Sequence, residues 1–235
     1  MAASRASGIE LVVVPPRDRL GQSLVTTVAA INASRQGAPV FVYTDRSAES
    51  LRELMPLARA GARGVIVRDE DDDVSSLRSL VARGTYAHAL ETVTFAVRDV
   101  IATRHLPLVL LCLEHVREPL GASAFARRLR VSRRTLSSWA QKAGAKGVRS
   151  LASKCRVLTA IEMIRAVRRP IESVAHELGF SSSAHLHNTI RRYTGVGPRA
   201  AAARDAGHWC RHLFTSPAAA QRRNDGAPAG MVDST

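Results

Sequence analysis

The sequence predicts an α/β N-terminal unit, a short parallel sheet with helices, followed by an all-α domain of two helix-turn-helix units joined by a long helix. Three observations predict it. Apolar runs alternate with amphipathic stretches over residues 9–83, the second half contains an internal repeat, and the charge is unevenly placed. The formal net charge is +14 over 235 residues. Residues 1–120 hold 14 Lys/Arg against 14 Asp/Glu, residues 121–200 hold 16 against 3, and residues 201–235 hold 4 against 3. A generally basic composition would spread the excess everywhere. Its confinement to residues 121–200 is the footprint of a domain that binds a polyanion.

Taken in order, ELVVV, PVFVYT and GVIVR are continuous apolar runs, as buried parallel strands present. Between them, GQSLVTTVAAINAS and SAESLRELMPLARAG read as amphipathic helices, the second strained by Pro56, and VSSLRSLVAR follows as a third. This is a βαβαβα unit with right-handed crossovers. Its order resembles the second half of a response-regulator receiver domain, with Thr44 and Arg68 at that family's Thr/Ser and Lys positions. The phosphoacceptor position falls on Pro15, which cannot accept phosphate, and the strand that would supply the acidic metal-binding pair is absent. The resemblance therefore implies a truncated, degenerate receiver; a generic α/β fragment is the other reading. The run DEDDD, Asp69–Asp73, lacks the Gly or alternating spacing that wraps ligands around a cation and reads as a solvated loop.

Residues 84–120 read as a helical connector of two helices divided near Pro107. In the first, Val93, Ala96, Val97, Val100 and Ile101 share a face. The second, LPLVLLCLEHV, is apolar nearly all round, to be buried against the α/β unit or in a dimer interface, with Cys112 as a core thiol. The boundary falls in REPLGAS, Arg117–Ser123. The domains are thus 1–83, 84–120, 121–203 and a disordered tail, 204–235.

The repeat carries the chemistry. Ile171–Pro198 reads as two short helices broken at Gly179, the second burying Leu186, Ile190 and Tyr193 at i, i+4, i+7. Its other side carries Ala184, Asn188, Arg191 and Arg192, flanked by His185 and His187, with Ser182 and Ser183 at its start. Earlier, Ala126, Leu129, Val131 and Ser132 match Ala175, Leu178, Phe180 and Ser181 at identical offsets, and Leu136 matches Leu186 with one residue less. The helix from Ser132 buries Leu136, Trp139, Ala140 and Ala143. Its far side bears Arg134, Ser138 and Gln141, with Ser137 beside them and Arg133 near the N-terminus. Arg and Gln are types that pair bidentately with guanine and adenine edges. Between the copies, CRVLTAIEMIRAVRR forms a helix with Val157, Ile161, Ile164 and Val167 or Arg168 along one side, uninterrupted until Pro170.

The spacing GFSSxxxLxxxIRRxxGxxP resembles the C-terminal signature of the AraC/XylS family of bacterial transcription regulators. Arg156, Ala160, Met163 and Ile164 follow that family's pattern for the joining helix, and the resemblance covers Pro119 to Ala203. It implies two recognition helices entering successive major-groove segments about 34 Å apart. Leu186 stands where the family often has an aromatic, and Asn188 where it often has Arg or Lys, so the target sequence cannot be carried over. The DNA-binding residues expected are Arg133, Arg134, Ser137, Ser138, Gln141, Ser182, Ser183, Ala184, His187, Asn188, Arg191 and Arg192.

The expected partner is double-stranded DNA, with a homodimer or the transcription machinery as further contacts. A protein-interaction adaptor built on the degenerate receiver, with incidental nucleic-acid affinity, is the competing reading. No Gly-rich phosphate loop or G-x-S-x-G elbow is present, so neither an enzyme nor a cofactor is expected. Cys112, Cys155 and Cys210 suggest no disulfide framework. The longest apolar run is too short for a membrane span, and the N-terminus has no apolar signal core. A cytoplasmic protein is the expectation. His208, Cys210 and His212 alternate but have no second ligand cluster near them, and read as a surface group rather than a metal site.

Overall fold

The computed structural model describes residues 11–33, 38–71, 73–167 and 170–214. The end of the expected tail (215–235), Asp72 of the acidic run and Arg168 of the joining helix lie outside them. The apolar runs form strands β1 (Val12–Val14), β2 (Val40–Thr44) and β3 (Gly64–Val67), all parallel in the order β1-β2-β3. Helices α1 (Val25–Ala33) and α2 (Ala48–Arg59) connect them, and α2 runs through Pro56. Because side chains alternate along a strand, Val40 and Val42 of β2 join Val14, Val28 and Leu57 in one small core. Phe41 turns the other way and is fully buried.

The acidic run is used locally. Asp71 accepts from the Val67 N–H at 2.9 Å, and Asp73 caps the next helix by accepting from Ser75 and Ser76 N–H at 2.9 and 3.0 Å. The Ser75 and Ser76 donors hold the Asp73 carboxyl well below its usual range.

That helix, α3 (Val74–Arg98), overturns the expected break at residues 83 and 84: one helix of 25 residues runs through Gly84. Glycine inside a helix costs about 1 kcal/mol relative to alanine. Here, however, a Cβ would lie 2.3 Å from Phe41 Cζ, so the missing side chain is what lets α3 lie against the sheet. Gly84→Ala is expected to be net destabilising in urea unfolding, since overpacking by about 1–3 kcal/mol outweighs the propensity gain. Adding Phe41→Leu should return part of the loss; a stabilised Gly84→Ala chain would refute the packing account.

After a 3-10 turn at Thr103–His105 come α4 (Leu106–Glu114), α5 (Ala122–Arg128), α6 (Arg133–Lys142), α7 (Val148–Val167), α8 (Ile171–Glu177), α9 (Ser183–Thr194), α10 (Pro198–Ala201) and α11 (Ala206–Phe214). The larger core is centred on α7. The sequence places its apolar residues along one side, but Leu151, Cys155, Val157, Leu158, Ala160, Ile161 and Met163 are all buried, because α3, α4, α6, α8, α9, α10 and α11 pack around it. Even Glu162 is buried, its two oxygens bound by Arg165 Nε at 2.6 and 2.8 Å.

Two further expectations change. Residues 84–120 do not merely connect: Ala89, Val93 and Val97 of α3 and Leu108, Val109, Cys112 and Leu113 of α4 share one core with α7. α4 is thus buried within the chain, against α3 and α7. Residues 206–214 of the expected tail form α11, with Trp209, Cys210, Leu213 and Phe214 buried. Trp209 Nε1–H donates to the Ala201 carbonyl at 2.8 Å. The cysteines of α4, α7 and α11 are all free and buried; burial pushes the Cys210 thiol up to about 12. Among the described residues, no helix is long and apolar enough to cross a membrane.

Candidate nucleic-acid interface

The two copies fold alike down to their hydrogen bonds. After α5, Arg130 N–H donates to Arg127 O at 3.2 Å and Val131 N–H to Ala126 O at 3.0 Å. After α8, Gly179 N–H donates to His176 O at 3.1 Å and Phe180 N–H to Ala175 O at 2.8 Å. The residue at the turn is left-handed in both, with φ of +52° at Arg130 and +68° at Gly179. Glycine takes this conformation without penalty, whereas a residue with a Cβ loses about 1–2 kcal/mol. The second copy is relaxed at its turn, and the first is strained.

Serine starts each following helix. Ser132 Oγ accepts from Thr135 N–H at 3.0 Å, and Ser182 Oγ accepts from His185 N–H at 3.1 Å. The caps therefore correspond at Ser132 and Ser182, which places the second copy's extra residue at Ser181. Ser181 Oγ lies 3.0 Å from His185 Nδ1, and the His185 ring meets Phe180 edge-on at 5.4 Å between centroids.

Each helix then divides into two sides. In α6, Leu136, Ala140 and Ala143 are buried and Trp139 is half-buried, while Arg133, Arg134 and Gln141 are exposed and Ser137 and Ser138 half-exposed. In α9, Leu186 and Ile190 are fully buried, and Tyr193 packs at the core's edge. Ser182, Ala184, Asn188, Arg191 and Arg192 are exposed, with Ser183 and His187 half-exposed. Arg192 lies over the Tyr193 ring at 5.1 Å. Among the described residues, Arg134, Gln141, Asn188 and Arg191 make no side-chain hydrogen bond or ion pair within the chain.

Both helices are held from beneath by α7. The α6 side is also braced by the N-terminal half: the buried His105 ring lies 6.3 Å from Trp139, and its Nε2 accepts from Arg104 Nε at 3.0 Å. Burial, helped by Arg104 and Lys142, keeps His105 below its usual pKa and so favours the neutral imidazole.

The structure also exposes cations outside the expected set: Arg127, Arg128, Arg130, Lys142, Lys146 and Arg149. The signal for the first three is the dense run RRLRVSRR, and for the others the absence of any acid over residues 121–150, visible when charge is counted over the unit rather than along one helix face. The alternating residues near the C-terminus are separated by helix geometry. His208 and His212 flank the Trp209 ring at 4.8 and 5.5 Å, while Cys210 is buried in the core. Among the described residues, no group of three or more His, Cys, Asp or Glu could hold a metal ion.

Residues 125–204 match the family model described as a helix-turn-helix domain, a span that takes in both turns and α7. No curated protein and no solved structure matches the chain. Residues 125–204 are thus similar to helix-turn-helix domains, the kind of unit that binds DNA.

Proposed function

We propose that the chain is a sequence-specific transcription regulator that reads two successive major-groove segments with α6 and α9. The observation that carries this reading is the repeated turn, with the same bonds in both copies and a solvent-facing polar side on each following helix. In this reading Arg134, Gln141 and Asn188 contact base edges, and Arg133, Arg191, Arg192, His187 and the serines position the helices on phosphates and sugars. Ser182 and Ser183 sit where α9 begins, and Ala184 lets the backbone approach. The N-terminal unit, a degenerate receiver without a phosphoacceptor, modulates assembly as a homodimer or contact with the transcription machinery. No residue is assigned to catalysis. An adaptor with incidental nucleic-acid affinity draws support from no particular observation.

The test is binding-site selection with the purified chain, followed by Arg134→Ala and Asn188→Ala. Each is expected to narrow the gap between the selected site and single-base variants by about 1–3 kcal/mol at the position it reads. Equal loss on every duplex would reassign the residue to the backbone, and a selection yielding no enriched sequence would remove the proposal.

A further inference from the structure

The two helix-turn-helix units are unequal in charge. Residues 121–150 contain eight Lys/Arg and no Asp or Glu, and all eight are exposed: Arg127, Arg128, Arg130, Arg133, Arg134, Lys142, Lys146 and Arg149. Residues 171–200 contain three, Arg191, Arg192 and Arg199, against Glu172 and Glu177. The described cations in the body of α7 are engaged inside the fold. Lys154 Nζ donates to the Gly144 and Leu213 carbonyls, Arg156 Nε to Val116 O at 3.2 Å, and Arg165 to Glu162. The field that a polyanion meets therefore comes mostly from the first unit.

Within that unit the cations converge. Ser123, Arg127, Arg130 and Arg133, with Ala126 and Val131, line an open niche of about 450 Å³ that no acid enters. Arg133 donates to Ser123 Oγ at its edge. Two unfavourable features lie at this niche, and both point to an anion. Arg130 holds the left-handed turn position that glycine occupies in the second copy, and strain of this kind is retained where it serves a site. Arg133 and Arg134 stand in the first turn of α6, which carries no acid, although cations are disfavoured by the helix dipole at that end.

We propose that the first unit is the anchor of the pair, seating one phosphodiester of the duplex backbone in the Ser123–Arg127–Arg130–Arg133 niche, while the second unit adds affinity only where the sequence fits. This rests on the DNA-binding reading above and specifies how its two halves divide the work.

The experiment uses the full chain, its selected duplex and an unrelated duplex of equal length, titrated over a range of salt. Each backbone contact removed lowers the slope of log K against log salt by about 0.9. The variant R127Q/R130Q should weaken both duplexes alike, by about tenfold or more, and lower the slope by about 1 on each. R191Q/R192Q should weaken the selected duplex while leaving the unrelated one within about threefold. R130G relieves the turn, so it should unfold at the same or a higher temperature while still losing affinity, which separates the niche from the fold.

On the unrelated duplex, equal slope changes from the two pairs, or a larger one from R191Q/R192Q, would overturn the proposal and leave DNA binding intact. Inorganic phosphate that protects the wild type but not R127Q/R130Q against heat, with duplex affinity unchanged in the variant, would make the niche a small-anion site and also overturn it. A wild-type chain that binds neither duplex would instead refute the function on which the proposal stands.

Discussion

Trp209→Ala is expected to remove a large part of the stability of the helical core. Truncating a buried Trp costs about 3–5 kcal/mol, and Trp209 is 4% exposed with its indole N–H bound to the Ala201 carbonyl at 2.8 Å. Typical domains have only about 5–15 kcal/mol in total. α11, which carries it, packs on α3, α7 and α9, so the change removes support from α7 and α9 together. Urea unfolding followed by helical circular dichroism should show the loss, and Trp209→Phe should recover the packing but not the hydrogen bond, about 1 kcal/mol. A change below about 1 kcal/mol in Trp209→Ala would mean that α11 lies on the fold without belonging to it.

That helix shows what concealed part of the fold from sequence reasoning. Trp209, Cys210, Leu213 and Phe214 follow one another at helical spacing, which is a signal of a buried face. The alternation of two imidazoles and a thiol read as a surface group instead, and the Ala- and Gly-rich surroundings resembled a tail. The strands were legible because uninterrupted apolar runs between helical patterns leave few alternatives. The continuity of α3 was not, since what makes Gly84 acceptable is the ring of Phe41, which lies far earlier in the chain. The burial of α7 was masked by Lys154, Arg156 and Arg165, whose charges look like a solvated face until their internal partners are known.

At the candidate interface, periodicity alone assigned Arg134 and Asn188 to the outward sides, because a buried stripe at helical spacing leaves the opposite side to solvent. The inequality of the two units was within reach of a charge count, but weighing residues only along the second helix of each unit divided Arg127 and Arg130 from Arg133 and Arg134. The strain at Arg130 had no sequence signature of its own. Only its alignment with Gly179 in the other copy hints that this turn position favours glycine.

Gly144→Ala should be the most informative change at the end of α6. Gly144 has φ of +75°, and a Cβ there would lie 2.6 Å from the Phe214 carbonyl oxygen and 3.0 Å from its carbon. The obstacle is backbone, which cannot swing aside as a flexible side chain would. Left-handed strain of about 1–2 kcal/mol and overpacking of about 1–3 kcal/mol therefore add, giving about 2–5 kcal/mol. Gly195→Ala supplies the control, because Gly195 has φ of +77° but a Cβ there meets nothing within 4 Å. Its loss should stay near the strain alone, about 1–2 kcal/mol, and the difference between the two variants measures the seating of α11 against the turn that ends α6. Lys154 links the same two points by donating to Gly144 O at 2.6 Å and to Leu213 O, so displacing α11 also loosens the carbonyl on which the turn is fixed. Duplex affinity at a temperature where Gly144→Ala is still folded should fall further than for Gly195→Ala, since only the former disturbs the end of α6, in the more cationic unit. Equal stability losses in the two variants would show that the C-terminal helix does not hold that turn in place.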